Sequence, residues 1–242
     1  MAAGPAADGP ARPAETGRVA AVHRRLLALY GHREPPATPP DPLESLVATI
    51  LSQNTSDVNS HRAFAALRRA FPDWRDVTAA PTEDVAAAIR PGGLARVKAP
   101  RIVALISSLI ERHGEPSLDQ LRDLDTPTAR RALEAIPGVG PKTAACVLLF
   151  ALNRPVVPVD THVHRVARRI GLAPADAPPE ETEAALEAAS LPEWRRDLHI
   201  NLIAHGRRIC VAQRPRCADC ALADLCDYYA DNFIRTGTTD EH

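Results

Sequence analysis

The chain has 242 residues, 45% hydrophobic and 24% charged, with a net charge of −1. This is globular composition, enough for one large domain or two small ones, and it excludes collagenous, low-complexity and coiled-coil architectures. No apolar run approaches the ~20 residues that span a bilayer, and the N-terminal stretch lacks the basic and apolar regions of a secretory signal, so a cytoplasmic location is expected.

Residues 1–17 are rich in Ala, Pro and Gly without a period and are expected to form a disordered tail. From Gly17 the pattern turns helical: Val19, Val22, Leu26 and Leu29 share a face, and Gly31 suits the helix end. A proline-stiffened linker covers 33–42, and Asp41-Pro42 has the form of a cap followed by a first helical residue. Helical periodicity then predicts segments at about 42–53, 56–70, 82–90, 97–113, 126–136, 141–153, 160–170, 180–189, 193–212 and 221–230. The strand-like run Val156-Val157-Pro158-Val159 is short and broken by proline. The expected fold class is all-α, and residues 231–242 are expected to be a C-terminal tail.

Lysine is scarce: Lys98 and Lys142 are the only two. Lys142 follows Ile136-Pro137-Gly138-Val139-Gly140-Pro141, a turn between two helical runs. Its glycines allow a tight bend, and amides at a helix start favour an anion such as a DNA phosphate. An ordinary helix–helix turn would have the same outline. An amine attacks carbon only when neutral, and the start of a helix sets its dipole against an ammonium. By itself, however, a lysine beside a turn reads more simply as a solvated side chain.

Asp160, in Val159-Asp160-Thr161-His162-Val163, suits the cap of the following helix. A carboxylate at a cleft also stabilises a developing oxocarbenium ion. The four cysteines Cys210, Cys217, Cys220 and Cys226 fall within seventeen residues. That spacing, without histidine, suits an iron–sulfur cluster or structural zinc. Six arginines stand at 195–216 against one acid, Asp197. They suit phosphate contact, and equally a solvated surface or an offset to thiolate charge.

Taken together, PGVGPKTA at 137–144, VDTH at 159–162, HGRRIC at 205–210 and the cysteine pattern resemble the endonuclease III family of helix-hairpin-helix DNA glycosylase/AP lyases. The resemblance runs from about Val19 to Tyr229. It implies a two-domain helix-hairpin-helix glycosylase fold, with a six-helix barrel at 44–154 and an iron–sulfur cluster domain from 18–43 and 155–230. Across the cleft between them Lys142 would be the nucleophile and Asp160 its catalytic carboxylate.

The resemblance also implies a [4Fe-4S] cluster held by Cys210, Cys217, Cys220 and Cys226. It implies DNA contact through Gly138, Gly140, Thr143 and His162, and two elements that enter the duplex when the damaged base is flipped out. One is an amide turn at Gln53-Asn54, where Asn54 takes the place of the family's glutamine. The other is a leucine wedge, matched by Leu94, which composition alone places equally well in a core. Pro141 stands where a basic residue is frequent, removing one charge and one amide.

The expected partner is double-stranded DNA containing damaged bases or abasic sites, bound by a monomer, and the expected reaction is excision of oxidised pyrimidines followed by strand nicking. The adenine-excising branch lacks the hairpin lysine and uses a glutamate in the helix before the amide turn; here no acid lies between Ser45 and Ser52. A non-catalytic iron–sulfur DNA-binding module would leave Lys142 and Asp160 unexplained.

Overall fold

A computed structural model describes residues 13–234. Of the expected tails, at 1–17 and 231–242, residues 1–12 and 235–242 lie outside the described residues, and 231–234 belong to a helical piece at Ala230–Ile234. Helices and turns account for all regular structure among those described, and no strand occurs. No described helix is long and apolar enough to cross a membrane.

The chain divides into two compact units. One is Pro35–Arg154. It carries seven α-helices: α2 (Pro42–Ser52), α3 (Asp57–Ala70), α4 (Trp74–Ala79), α5 (Thr82–Ala88), α6 (Ala95–His113), α7 (Thr126–Glu134) and α8 (Pro141–Phe150). Side-chain caps set several of the starts. Asp41 accepts from Glu44 N at 2.9 Å, Ser56 from Asn59 N at 3.3 Å and Asp125 from Thr128 N at 2.7 Å. Gly114, with φ +79°, ends α6.

Six of these helices coincide with predicted segments. The seventh, α4, has only six residues, too few for a period to show. Its signal was Asp73, whose carboxylate caps Arg75 N, and its core contribution is Trp74 and Val77. At the centre of the unit, α8 packs on α2 and α7 and buries Ala144, Val147 and Leu148 completely. Pro42 and Leu43 are buried with this unit, and Arg122 donates to Pro40 O at 3.5 Å. Residues 35–43, expected with the cluster domain, therefore belong to the Pro35–Arg154 unit.

The other unit is the chain up to Glu34 together with the chain from Pro155 on. It contains α1 (Pro13–Tyr30), α9 (Thr161–Arg169), α10 (Pro179–Ala189) and α11 (Arg195–Arg208). Helix α1 begins at Pro13, so residues 13–17 are helical rather than part of a tail. Val22, Leu26, Val163, Val166, Leu198 and Leu202 are fully buried in one core. Val156–Val159 forms neither helix nor strand. Val157 N donates to Glu187 Oε1 at 2.9 Å, and Pro158 O lies 2.7 Å from His199 Nδ1. Side chains thus satisfy backbone groups that a ladder would otherwise hold.

The expected helix at 221–230 is replaced by turns, with short helical pieces at Asp227–Tyr229 and Ala230–Ile234. The preceding cysteine loop is itself a chain of 3-10 turns, at Cys217–Asp219 and Ala223–Leu225, which a helical period cannot describe.

Candidate functional site

In the Pro35–Arg154 unit, the hairpin between α7 and α8 depends on Gly138. Its φ is +83°, and open space surrounds the position of a Cβ. Backbone conformation, not lack of room, is what requires glycine here. Val139 N donates to Ile136 O at 3.0 Å and closes the turn. Gly140 begins α8 with no side-chain cap. The first amides of α8 are therefore not satisfied by a side chain and suit an anion.

Lys142 is the second residue of α8 and is partly exposed, directly before the buried run from Thr143 to Leu149. Thr143 follows, at the start of the buried run of α8. Its side chain is 5% exposed, so only its backbone amide, in the first helical turn, is placed to meet a phosphate.

The turn after α2 distinguishes the two amide residues that sequence placed together. Gln53 is half-buried at the end of α2, with its own N bonded to Ile50 O at 3.3 Å. Asn54 is exposed and has φ +54°, a left-handed conformation that asparagine tolerates well. Asn54 is thus the outward tip. Leu94 is also left-handed, with φ +51°, and is 53% exposed, so it is not a core residue. A bulky apolar residue held there costs about 1–3 kcal/mol, and such strain gathers at functional positions.

In the other unit, Asp160 caps α9 as the sequence suggested. Its Oδ1 accepts from His162 N at 2.9 Å and Val163 N at 2.8 Å. Both bonds use the same oxygen, and Oδ2 has no hydrogen-bond partner among the described residues. Asp160 thus fixes the helix start through one oxygen alone.

His162, two residues on, is held through Nδ1, which accepts from Arg165 Nη2 at 3.1 Å. That bond puts the ring proton on Nε2.

Helix α9 also organises the cysteine loop, through two arginines that sequence reasoning passed over. Arg165 donates to Cys210 O at 2.9 Å and Gly206 O at 2.8 Å. One turn later, Arg169 donates to Val211 O at 2.8 Å and Ala212 O at 3.0 Å, approaches Cys210 Sγ at 3.5 Å and stacks over the Tyr228 ring. Their i, i+4 spacing on the helix carrying Asp160 was the available signal. Gly206 is tightly enclosed, since a Cβ there would lie 3.0 Å from His162 Cβ.

No three or more His, Cys, Asp or Glu side chains among the described residues converge closely enough to hold a single metal ion. A lone zinc ion would need four donors within about 2.0–2.3 Å of one point; a multi-iron cluster spreads its thiolates over several metals. All four cysteines are free thiols. Burial, then the neighbouring cysteines, raises the pKa of Cys217 and Cys220 and pushes Cys226 up to about 11. Leu222 N lies 3.4 Å from Cys220 Sγ, a donor suited to a thiolate. Four thiols on one short loop, with backbone and arginine donors beside them, fit a thiolate-ligated iron–sulfur group. Loading such a group would displace the thiol protons.

Known proteins of similar sequence and fold identify the family. Residues 47–190 match the family described as HhH-GPD superfamily base excision DNA repair protein. Endonuclease III of Escherichia coli K12 is 37% identical over 187 residues, 77% of this chain and 84% of that protein. Endonuclease III of Thermotoga maritima is 35% identical over 189 residues, 78% of this chain and 84% of that protein. A putative DNA glycosylase of Arabidopsis thaliana is 41% identical over 165 residues, 68% of this chain; the match spans 56% of that longer protein. Among solved structures, a trapped endonuclease III–DNA covalent intermediate superposes with a TM-score of 0.75 at 29% identity, covering 89% of this chain and 97% of that one. The chain belongs to the HhH-GPD superfamily of base excision DNA repair proteins.

Proposed function

We propose that the chain is a base-excision DNA glycosylase with AP lyase activity, acting as a cytoplasmic monomer on oxidised pyrimidines in duplex DNA. The observation that carries this reading is the position of Lys142. It is the second residue of α8, separated only by Pro141 from the uncapped Gly138–Gly140 hairpin, where a bound phosphate would bring a sugar within reach of its amine.

In the proposed reaction Lys142 Nζ, as the free amine, attacks C1′ of the damaged nucleotide. The C1′–N glycosidic bond breaks, and the base leaves with the bonding pair and takes up a proton. The amine gives up its own proton, the sugar ring opens, and a Schiff base forms between Nζ and C1′. Loss of a proton from C2′ then expels the 3′ phosphate by β-elimination and nicks the strand. Asp160 supplies a carboxylate, through Oδ2, that stabilises positive charge on the sugar and assists deprotonation of the amine.

The amides of Gly138, Gly140 and Thr143 hold a phosphate, and His162 donates to the backbone from Nε2. Asn54, with Gln53 behind it, fills the vacated stack, and Leu94 replaces stacking lost on extrusion. Cys210, Cys217, Cys220 and Cys226 would hold a [4Fe-4S] cluster. When bound it supplies covalent closure of the loop that α9 arginines already hold, and so fixes the basic surface around Arg207, Arg208, Arg214 and Arg216.

The test is borohydride trapping with one duplex carrying thymine glycol and another carrying an abasic site. A covalent complex on both supports base excision coupled to the lyase. Trapping on the abasic duplex alone would leave the lyase and move base choice elsewhere. Absence of trapping on either, from protein with full iron content, would favour a DNA-binding module.

The metal assignment has its own readout. Purified wild type is expected to contain iron and acid-labile sulfide in equal amounts. Cys226→Ser is expected to lose both and to bind undamaged duplex more weakly, measured by iron analysis and fluorescence anisotropy. Zinc without sulfide in the natural holoprotein would reject the cluster.

A further inference from the structure

Lys98 is one of only two lysines in the chain, and the reaction above does not use it. It lies in the first turn of α6, its amide bonded to Leu94 O at 2.9 Å, and it is 2% exposed. Burial pushes its pKa below the ordinary lysine value, and no carboxylate among the described residues offsets that effect. A buried ammonium without a counter-ion is destabilising unless dipoles replace water around it. Two carbonyls do so here: Nζ donates to Leu51 O at 2.7 Å and to Gly92 O at 3.0 Å.

These two carbonyls are not arbitrary. Leu51 sits at the end of α2, where the helix dipole is negative and a cation is favoured, and three residues later comes Asn54. Gly92 ends the turn Arg90–Gly92, and two residues later comes Leu94. A second, independent contact seats the Gly92 turn. A Cβ on Gly92 would lie 2.9 Å from Ala63 Cβ, so only glycine lets this turn seat so closely against α3, while Leu51 O, at 3.9 Å, is in ordinary contact. One ammonium thus ties together the roots of both left-handed, exposed tips.

We propose that Lys98 is a positioning residue that locks the Asn54 loop and the Leu94 loop to each other, so that the two tips enter the duplex as one preorganised pair. This rests on the reading that Asn54 and Leu94 are the entering side chains. The clamp acts where a base must be extruded from a paired stack, because only there are both tips used together. It has no part in the Schiff-base chemistry on a sugar that has already lost its base in single-stranded DNA. Nor is Lys98 a second nucleophile: an amine that donates to two carbonyls in a closed site does not present its lone pair to a sugar.

The experiment compares Lys98→Met, which keeps the stem and removes the donors, and Lys98→Gln, which keeps one donor, with Asn54→Ala and Leu94→Ala. Single-turnover excision is measured on a thymine-glycol duplex. Extrusion is followed by fluorescence of 2-aminopurine placed next to the lesion, and the lyase is measured on a single-stranded abasic oligonucleotide. Lys98→Met is expected to lower duplex excision and the fluorescence change by about 10- to 100-fold while leaving the single-stranded lyase within about twofold. Lys98→Gln is expected to fall between, and it carries the comparison if Lys98→Met does not fold. Adding Lys98→Met to Leu94→Ala is expected to cost less than the two losses combined.

Wild-type duplex behaviour in both Lys98 variants, or equal losses on both substrates, would overturn the clamp. If Asn54→Ala and Leu94→Ala themselves leave duplex excision intact, the assignment of the entering side chains fails first and the clamp falls with it.

Discussion

Lys142→Gln is expected to yield no borohydride-trapped complex on either the thymine-glycol or the abasic duplex, while binding those duplexes with near wild-type affinity. The substitution keeps polarity and most of the length but removes the nucleophilic lone pair and the ability to form a Schiff base. Glutamine is a good helix former, and the side chain is partly exposed beside an uncapped helix start, so the melting temperature should move little. The scarcity of lysine sharpens the result. Lys98 is the other lysine and its Nζ is occupied by two carbonyls, so no neighbouring lysine is available to substitute. Trapping at the wild-type level by Lys142→Gln would show that the covalent chemistry uses a different amine.

The second large effect concerns Asp160, and two substitutions separate its two jobs. Asp160→Asn keeps an acceptor for His162 N and Val163 N, because asparagine caps about as well as aspartate. Stability should therefore be retained while the charge opposite the developing sugar cation is gone. Single-turnover excision is expected to fall by about 100-fold or more. Asp160→Ala removes the cap as well. It should match the asparagine variant in activity and lose about 1 kcal/mol of stability besides, read from urea denaturation. An asparagine variant that excised at the wild-type rate would reduce Asp160 to a helix cap. An alanine variant that was no less stable than the asparagine variant would remove the capping role instead.

Most of the helices and the hairpin could be read from the sequence because their causes are local. A Gly-x-Gly between two apolar periods needs a positive φ, and Gly138 has it. Asp-Pro before an apolar run makes a cap and a first helical residue, and Asp41 and Pro42 take those places. The cysteine spacing showed a shared loop for the same reason.

What was not legible depends on contacts distant in sequence. Helix α4 is too short to have a period, and the cysteine loop follows its hydrogen bonds rather than a helical pattern. Gln53 and Asn54 are equally plausible as a string; only the left-handed backbone at Asn54 separates the outward residue from the half-buried one. Thr143 seemed a contact because of its place in the motif, but the packing of α8 turns its side chain inward. Lys98 had a signal that was passed over. It stands four residues before Ile102 and seven before Leu105, on the apolar stripe of α6, where a charge signals a buried partner.

The lysine-poor composition, with one amine enclosed by backbone and the other partly exposed, makes the protein a natural single-site reporter. Reductive methylation with isotopically labelled formaldehyde would mark Lys142 and the chain's own amino terminus while sparing the enclosed Lys98. Of the side chains, only the one assigned to attack the sugar would then be visible in a spectrum. Its charge could be followed through a titration, free and on DNA, without altering a single codon.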